Sequence, residues 1–448
     1  MYKVVVIGGG WSGCAAAITA KKAGAEVVLI EKTDLLLGLG NVGGIMRNNG
    51  RYTATEENIL LGAKELFEIT DKYARHVGIE FPGHKHASLY DVIKVEPAVK
   101  RKLTEMGIEL RMMARVLDVK MNQSVSDIKH KNGEVEKSIE AIIVAPSGYP
   151  SEDMKELEII EGDVFVECTG STGPMGNCLA YGNGCSMCVL RCPAFGPRVS
   201  ISQKAGITDI MGMRSDGNYG AFSGSGKLEK SSLSDEIQKQ LNKHGVVVVP
   251  IAEDDEDGFR KKKLDMKVCQ QYALEEYADN VILLDTGYAK LMTPFYPLEK
   301  LRKIKGFENA RYVDPYAGGK GNSVRYLSVT ERDNSMKVKN IQNLFCGGEK
   351  SGLFVGHTEA ITTGSLAGYN SARFAANKEL LRLPRSLSVG DIIAFANESL
   401  NSEDGLKTRY TFAGAEYFQR MKDFDLYTTD KEEIRKRVEK TGLEGIYK

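Results

Sequence analysis

Residues 2–32 read YKVVVIGGGWSGCAAAITAKKAGAEVVLIEK, and the order of their apolar and small-residue runs decides the fold. Val4–Ile7 is a continuous apolar stretch, as expected of a parallel strand buried on both faces. Gly8-x-Gly10-x-x-Gly13 follows at once. Gly8 permits the tight turn, Gly10 lets the backbone approach a pyrophosphate, and Gly13 allows a helix to pack closely on the strand. Ala15, Ala16, Ala17 and Ala20 keep that helix close to the sheet. A second strand, Glu26 to Ile30, ends at Glu31 and Lys32, the residues placed to meet a nucleotide ribose. A carboxylate there accepts from the 2′-OH and disfavours a 2′-phosphate. The helix amino terminus adds free N–H groups and a positive dipole end. A lone GxGxxG is weak. With its strand, helix, second strand and acid all present, it predicts a dinucleotide site.

Bulk properties bound the rest. At 448 residues the chain is too long for one small core. Lys plus Arg equals Asp plus Glu at 60 each, so the net charge argues against a strongly basic nucleic-acid binder. RNA as a partner stays open but is not indicated by charge. The first strand begins at Tyr2, and no apolar run approaches the roughly 20 residues that span a bilayer. The expectation is a cytoplasmic protein with no membrane segment, in which clustered cysteines serve as ligands or redox groups. A homo-oligomer is compatible with these numbers.

The choice between FAD and NAD rests on a later stretch, IQNLFCGGEKSGLFVGHTEAITTGSLAGYNSARFA (341–375). Leu344–Cys346 reads as a short buried strand, followed by Gly347-Gly348-Glu349 and a small-residue helix from Thr358 to Ala375. Gly364 and Gly368 share one face of that helix, where another backbone can approach. The arrangement resembles the second FAD motif of two-dinucleotide-fold flavoproteins. That resemblance implies that Glu349 meets the ribityl chain and that the helix points its positive end at the flavin pyrimidine. DVFVECTGSTG, starting at Asp163, fits the strand and glycine turn of such proteins through Gly170. The glycine-rich loop after the second strand, with Gly38, Gly40, Gly43 and Gly44, is expected to bring backbone amides beside the flavin; a flexible surface loop is the alternative.

Two segments narrow the family. IKGFENARYVDPYAGGKGNSVRYLSV (304–329) and the late glycine-rich helix together resemble the GidA-type tRNA-modification flavoproteins and the folate- and FAD-dependent tRNA methyltransferases. The departures are specific. The methyltransferases carry a cysteine soon after the first flavin loop, and NVGGIMRNNGRY has none. The GidA-type proteins carry a long helical carboxy-terminal domain, and only a short tail follows Leu383 here. The resemblance therefore speaks to fold and cofactor more than to substrate.

Half of the eight cysteines gather in one segment as Cys178-x6-Cys185-x2-Cys188-x3-Cys192-Pro193. The Cys-x2-Cys…Cys-Pro order resembles bacterial ferredoxin runs, so a [4Fe–4S] cluster is the leading expectation. A Cys185–Cys188 redox disulfide, a zinc site and packing cysteines are the alternatives. Cys14, Cys168 and Cys346 fall in strand or helix patterns and read as core residues. His357, at the start of the late helix, is the candidate proton donor, and Arg325 the candidate clamp for an anionic substrate. His84 and His86 form a weak metal-like pair, more simply a loop.

The expectation is an α/β protein: a Rossmann-like FAD-binding domain from residues 1–170 plus 335–385, an inserted α+β cysteine-cluster and substrate domain over 171–334, and a helical tail over 386–448. Three helical pieces are expected in that tail, the last opened by a capping box at Thr429-x-x-Glu432. The favoured function is an FAD-dependent oxidoreductase passing electrons between flavin, the cluster and a small organic substrate, with an unidentified electron donor or acceptor. The alternatives are a GidA-like or methyltransferase-like RNA-modifying flavoprotein and a non-catalytic flavin-binding assembly protein.

Overall fold

The computed structural model describes residues 2–38, 43–122, 137–147, 157–170, 196, 198–222, 226–251, 264, 267, 269–292, 296–313, 324–325 and 327–448. At its centre is a five-stranded parallel sheet. Its strands run in the order Leu344–Cys346, Val164–Glu167, Lys3–Ile7, Glu26–Ile30, Glu109–Arg111. The chain thus returns from its last third to complete a sheet begun by its first residues.

The two-residue alternation of the strands explains why the opening run is apolar throughout. Val4, Val6, Val27, Leu29 and Val166 face one core with Cys14, Ala16 and Ala17 of the glycine-turn helix Trp11–Lys22. Val5, Ile7, Val28, Ile30 and Phe165 face another core with Val116, Ile142 and Ile160. That second layer is an antiparallel sheet of Ala114–Met121, Ile139–Pro146 and Glu158–Glu161. Helices cover one face of the parallel sheet and strands the other.

The late helix, His357–Ala375, lies against the glycine-turn helix. A methyl group at Gly364 would strike the Ser12 carbonyl oxygen, and one at Gly368 the Ala16 carbonyl oxygen. Thr19 Oγ1 donates to the Ser365 carbonyl across the same seam at 2.9 Å. The expected close approach at these two glycines is therefore the contact that fixes both helix starts at one end of the sheet.

A second body is built on the antiparallel sheet Gly226–Leu228, Ala289–Leu291, Asn280–Asp285, Val246–Pro250. The helix Asp235–His244 covers it, capped by the Ser234 hydroxyl at its start and ended by left-handed Gly245. The hairpin of Ala74–Phe81 and His84–Tyr90 joins the two bodies: Phe81 and Leu89 share a core with Ile282 and Leu284. Fully buried Asp285 adds a polar tie, accepting from Arg75 Nε at 2.9 Å and pairing with His76 Nε2 at 3.0 Å.

The tail departs from expectation in two respects. It holds four helices, Ser388–Ser399, Glu403–Lys407, Ala415–Asp423 and Lys431–Thr441. The last is capped by Asp430, whose carboxylate accepts from the Glu432 and Glu433 amides, and not by Thr429. An aspartate one residue later offers the stronger acceptor to the same free N–H groups. No described helix is long and apolar enough to cross a membrane.

Candidate functional site

The glycine turn has the geometry its spacing predicts. Gly8 has φ +100°, and a methyl group there would meet the Cys168 carbonyl. A methyl group at Gly13 would strike the Gly8 carbonyl oxygen, so this position seats the helix on the turn. Gly10 is different: a methyl group there meets no atom of the other described residues within 4 Å. Gly10 is the N-cap of the helix and makes no side-chain cap hydrogen bond. Among the described residues, the space in front of Gly10 is open to a group that approaches the backbone closely.

Glu31, 7% exposed, accepts from the Gly9 amide at 2.7 Å through Oε2 and from the Thr33 amide at 2.8 Å through Oε1. Two backbone donors therefore orient the carboxylate at the end of its strand. Lys32 turns away and donates to the Gly196 carbonyl at 2.7 Å. Exchanging Glu31 for Gln keeps the side-chain shape but replaces one acceptor oxygen with a donor. Glu31→Gln is expected to weaken FAD binding by about 1–3 kcal/mol, the worth of hydrogen bonds to a charged group. Titrating FAD into the apoprotein by calorimetry measures it, and unchanged affinity would remove Glu31 from the site.

The late motif closes the other side. Gly348 has φ +70° and its amide donates to Thr363 Oγ1 at 2.8 Å. Gly347 and Gly348 both lie against Ser12 of the glycine-turn helix. Glu349 sits in the short turn Gly348–Ser351, half-buried and electrostatically coupled to Arg409. Gly170, at φ +80°, ends the strand–turn that follows Val164–Glu167 and faces Arg198.

His357 stands where the two motifs meet. Its ring stacks on Trp11 with centroids 5.2 Å apart, and Tyr90 Oη lies 3.4 Å from His357 Nδ1. Gly43 packs against the same ring, so that no side chain fits at that position. Gly44, at φ +77°, packs against Thr286. Two buried polar atoms here have no partner among the described residues: Trp11 Nε1 and Thr286 Oγ1. The open space at Gly10 and these unmatched groups fit a large polar ligand lying along the line from the glycine turn to His357.

The neighbouring charges were not visible in the sequence pattern. Arg51, 3% exposed, donates through Nε to Glu359 at 3.1 Å and through Nη2 to the Val355 carbonyl at 3.0 Å. Glu359 also accepts from Thr411 Oγ1 and the Phe412 amide, both at 2.8 Å. Burial works against the Arg51 charge, and Glu359 more than restores it. Lys290, 6% exposed, donates to the Gly43 carbonyl.

Other candidates are placed as follows. His84 is structural: Nδ1 accepts from Asn48 and Nε2 donates to the Gln271 carbonyl, each at 3.0 Å, and burial holds its pKa at about 3. His86 instead meets the Tyr52 ring, so the two histidines do not form a metal pair. Cys14, Cys168 and Cys346 are buried core residues, and burial raises their thiol pKa values. Arg325 pairs through its backbone with Ala221 in a short antiparallel ladder. Cys178, Cys185, Cys188 and Cys192 lie outside the described residues, as does Gly40. Among the described residues no three metal-ligating side chains converge.

Comparison with known proteins agrees with this geometry. Residues 3–172 match the family model described as FAD dependent oxidoreductase, and residues 285–379 match that of glucose inhibited division protein A. The tRNA uridine 5-carboxymethylaminomethyl modification enzyme MnmG of Nitratiruptor sp. is 30% identical over 148 residues, 33% of this chain and 22% of that protein. Its counterpart in Desulfotalea psychrophila is 32% identical over 117 residues, 26% of this chain and 18% of that protein. These aligned stretches span well under two thirds of either relative. A crystal structure of GidA from Aquifex aeolicus shares the fold over 98% of this chain and 76% of its own, at TM-score 0.61 and 16% identity. The chain is similar in sequence to FAD-dependent oxidoreductases over residues 3–172 and to glucose inhibited division protein A over residues 285–379, and in fold to GidA across almost its whole length.

Proposed function

We propose that the chain is an FAD-dependent enzyme of the GidA kind, acting on a nucleobase of RNA. One observation carries the reading: the two stretches that match flavoprotein families, 3–172 and 285–379, are those that build the opposite walls of the site. The first holds Gly10, Glu31, Gly43 and Tyr90; the second holds Lys290, Gly348, Glu349 and His357. This favours the RNA-modifying reading over a small organic substrate.

Bound FAD would supply hydride and electron transfer. The chain's own residues supply the rest. The Gly10–Trp11 amides and the helix dipole hold the pyrophosphate, and Glu31 holds the adenosine ribose. Glu349 takes the ribityl side. His357, with the Tyr90 hydroxyl beside Nδ1, can hold or release a proton at the substrate ring. Arg325 is assigned the backbone phosphate or another anionic group of the substrate.

The spacing of Cys178, Cys185, Cys188 and Cys192 supports a [4Fe–4S] cluster as a one-electron partner of the flavin. Anaerobically purified protein would then carry about four irons and four sulfides per chain. Iron-free protein would return these thiols to the disulfide, zinc or packing readings.

The substrate is tested by tRNA binding to the FAD-loaded protein. Four phosphate contacts would lower affinity about 100-fold between ~50 and ~200 mM salt. A yellow protein that does not bind tRNA at ~50 mM salt would sink the RNA reading, leaving a small-molecule oxidoreductase.

A further inference from the structure

We propose that Lys350 is a positioning residue: its buried pair with Asp209 fixes Glu349 for FAD and couples cofactor binding to the docking of residues 200–211. The inference rests on the FAD reading above, in which Glu349 takes the ribityl side.

The sequence gives Lys350 no such prominence. GGEKSG (347–352) reads as a glycine turn, where a lysine is ordinarily solvated. The structure buries it instead. The Lys350 and Asp209 side chains are each 1% exposed, and Lys350 Nζ donates to Asp209 Oδ2 at 2.5 Å and to Ser200 Oγ at 2.8 Å. Asp209 also accepts from Ser328 Oγ at 2.7 Å and from Ser202 Oγ at 3.2 Å. Glu167, fully buried at the end of its strand, accepts from the Ile201 and Ser202 amides at 2.8 and 2.9 Å. Its carbonyl accepts from the Gly347 amide at 3.0 Å, so the network closes on the late motif. Lys350 and Glu167 belong to the flavin-side segments. Ser200, Ser202, Asp209 and Ser328 fall in the stretch read from the sequence as the inserted domain. The pair crosses that boundary.

Its effect falls on the turn Gly348–Ser351. Thr363 Oγ1 holds the Gly348 amide, and the Lys350 carbonyl accepts from the Thr330 amide at 3.0 Å. Ser351 Oγ donates to the Gly348 carbonyl at 2.8 Å, and Arg332 Nε donates to the Ser351 carbonyl at 2.9 Å. Glu349 therefore stands between residues pinned on both sides. A buried ion pair is weak support for stability, because desolvation offsets the attraction. What it imposes is one arrangement: displacing residues 200–211 would leave a carboxylate and an ammonium unmatched in the interior. The coupling is reciprocal, so a fixed Glu349 favours FAD and bound FAD stabilises the docked segment.

The test uses the full chain. FAD is titrated into the folded apoprotein, and amide exchange of residues 201–211 is followed with and without FAD. Asp209→Asn keeps the side-chain shape and removes the charge; it is expected to weaken FAD binding about tenfold, within the usual range of coupling between sites. FAD should slow exchange over 201–211 in the wild-type chain and not in this variant. Glu349→Gln should weaken binding in the wild-type background and add little to Asp209→Asn. Lys350→Met with Asp209→Leu removes both charges and their desolvation, so it is expected to fold even if a single change does not. It should show the same weakened binding and the same loss of protection. Wild-type affinity and protection in Asp209→Asn, or in the double variant, would overturn the proposal and leave the pair as packing. A wild-type chain that binds no FAD would defeat the cofactor reading, and an inert Glu349→Gln the ribityl assignment. Both are read before the Asp209 variants, and either would take the inference with it.

Discussion

Gly10→Val is expected to yield a folded protein that is colourless as purified. The structure keeps apart the two glycines to which the spacing gives different roles, Gly10 and Gly13. At Gly10 an added methyl group meets no atom of the other described residues within 4 Å, so valine is expected to cost the apoprotein little beyond a modest helix-start effect. What it fills is the space the pyrophosphate needs, and it holds the phosphates off the first-turn amides. Losing two hydrogen bonds to a charged group costs about 3–6 kcal/mol, or roughly 10²–10⁴ in affinity. Gly13→Ala should do the reverse, because its methyl group strikes the Gly8 carbonyl oxygen and damages the fold itself. Absorbance near the flavin bands together with thermal melts of both apoproteins measures the contrast. If Gly10→Val keeps full FAD occupancy, the amino-terminal site has been misassigned.

Arg51→Ala is expected to destabilise the protein by about 3–5 kcal/mol, because it leaves a carboxylate buried without its cation. Glu359 is fully buried and sits in the first turn of the late helix, where the dipole favours its charge. That dipole and the donors from Thr411 and Phe412 do not replace a guanidinium that also binds the Val355 carbonyl. Arg51→Lys should recover part of the loss, since the charge returns without the planar fork. The double change Arg51→Met with Glu359→Leu should recover more, as removing both charges also removes their desolvation. Denaturant midpoints of the four proteins give the ordering. A loss under about 1 kcal/mol for Arg51→Ala would show that the pair contributes no more than a surface contact.

The glycine turn, its two strands and the late strand and helix were legible because each follows from short-range chemistry. Residues 2–32 carry a continuous apolar run, a glycine turn and a small-residue run, as a buried strand, turn and helix must, and Leu344–Cys346 has the expected range. The pair Gly364 and Gly368 was readable as a packing face, although its partner was not; the structure supplies Ser12 and Ala16. The tail cap was displaced by one residue because Thr429 and Asp430 are both good caps, and sequence order alone does not rank them.

By itself the sequence determined the parallel nucleotide-binding core, the late glycine motif and the position of His357, since those depend on periodicity and backbone freedom within one segment. The tertiary structure alone decided which distant side chains share the site. Trp11 and Tyr90 flank His357, Glu359 balances Arg51, and Lys290 crosses from the second body to Gly43. Each joins residues far apart in the chain, through contacts that exist only once two sheets are packed. A lysine in an apolar strand pattern is a faint signal in sequence; only packing shows that it is buried and donates to a carbonyl of another body.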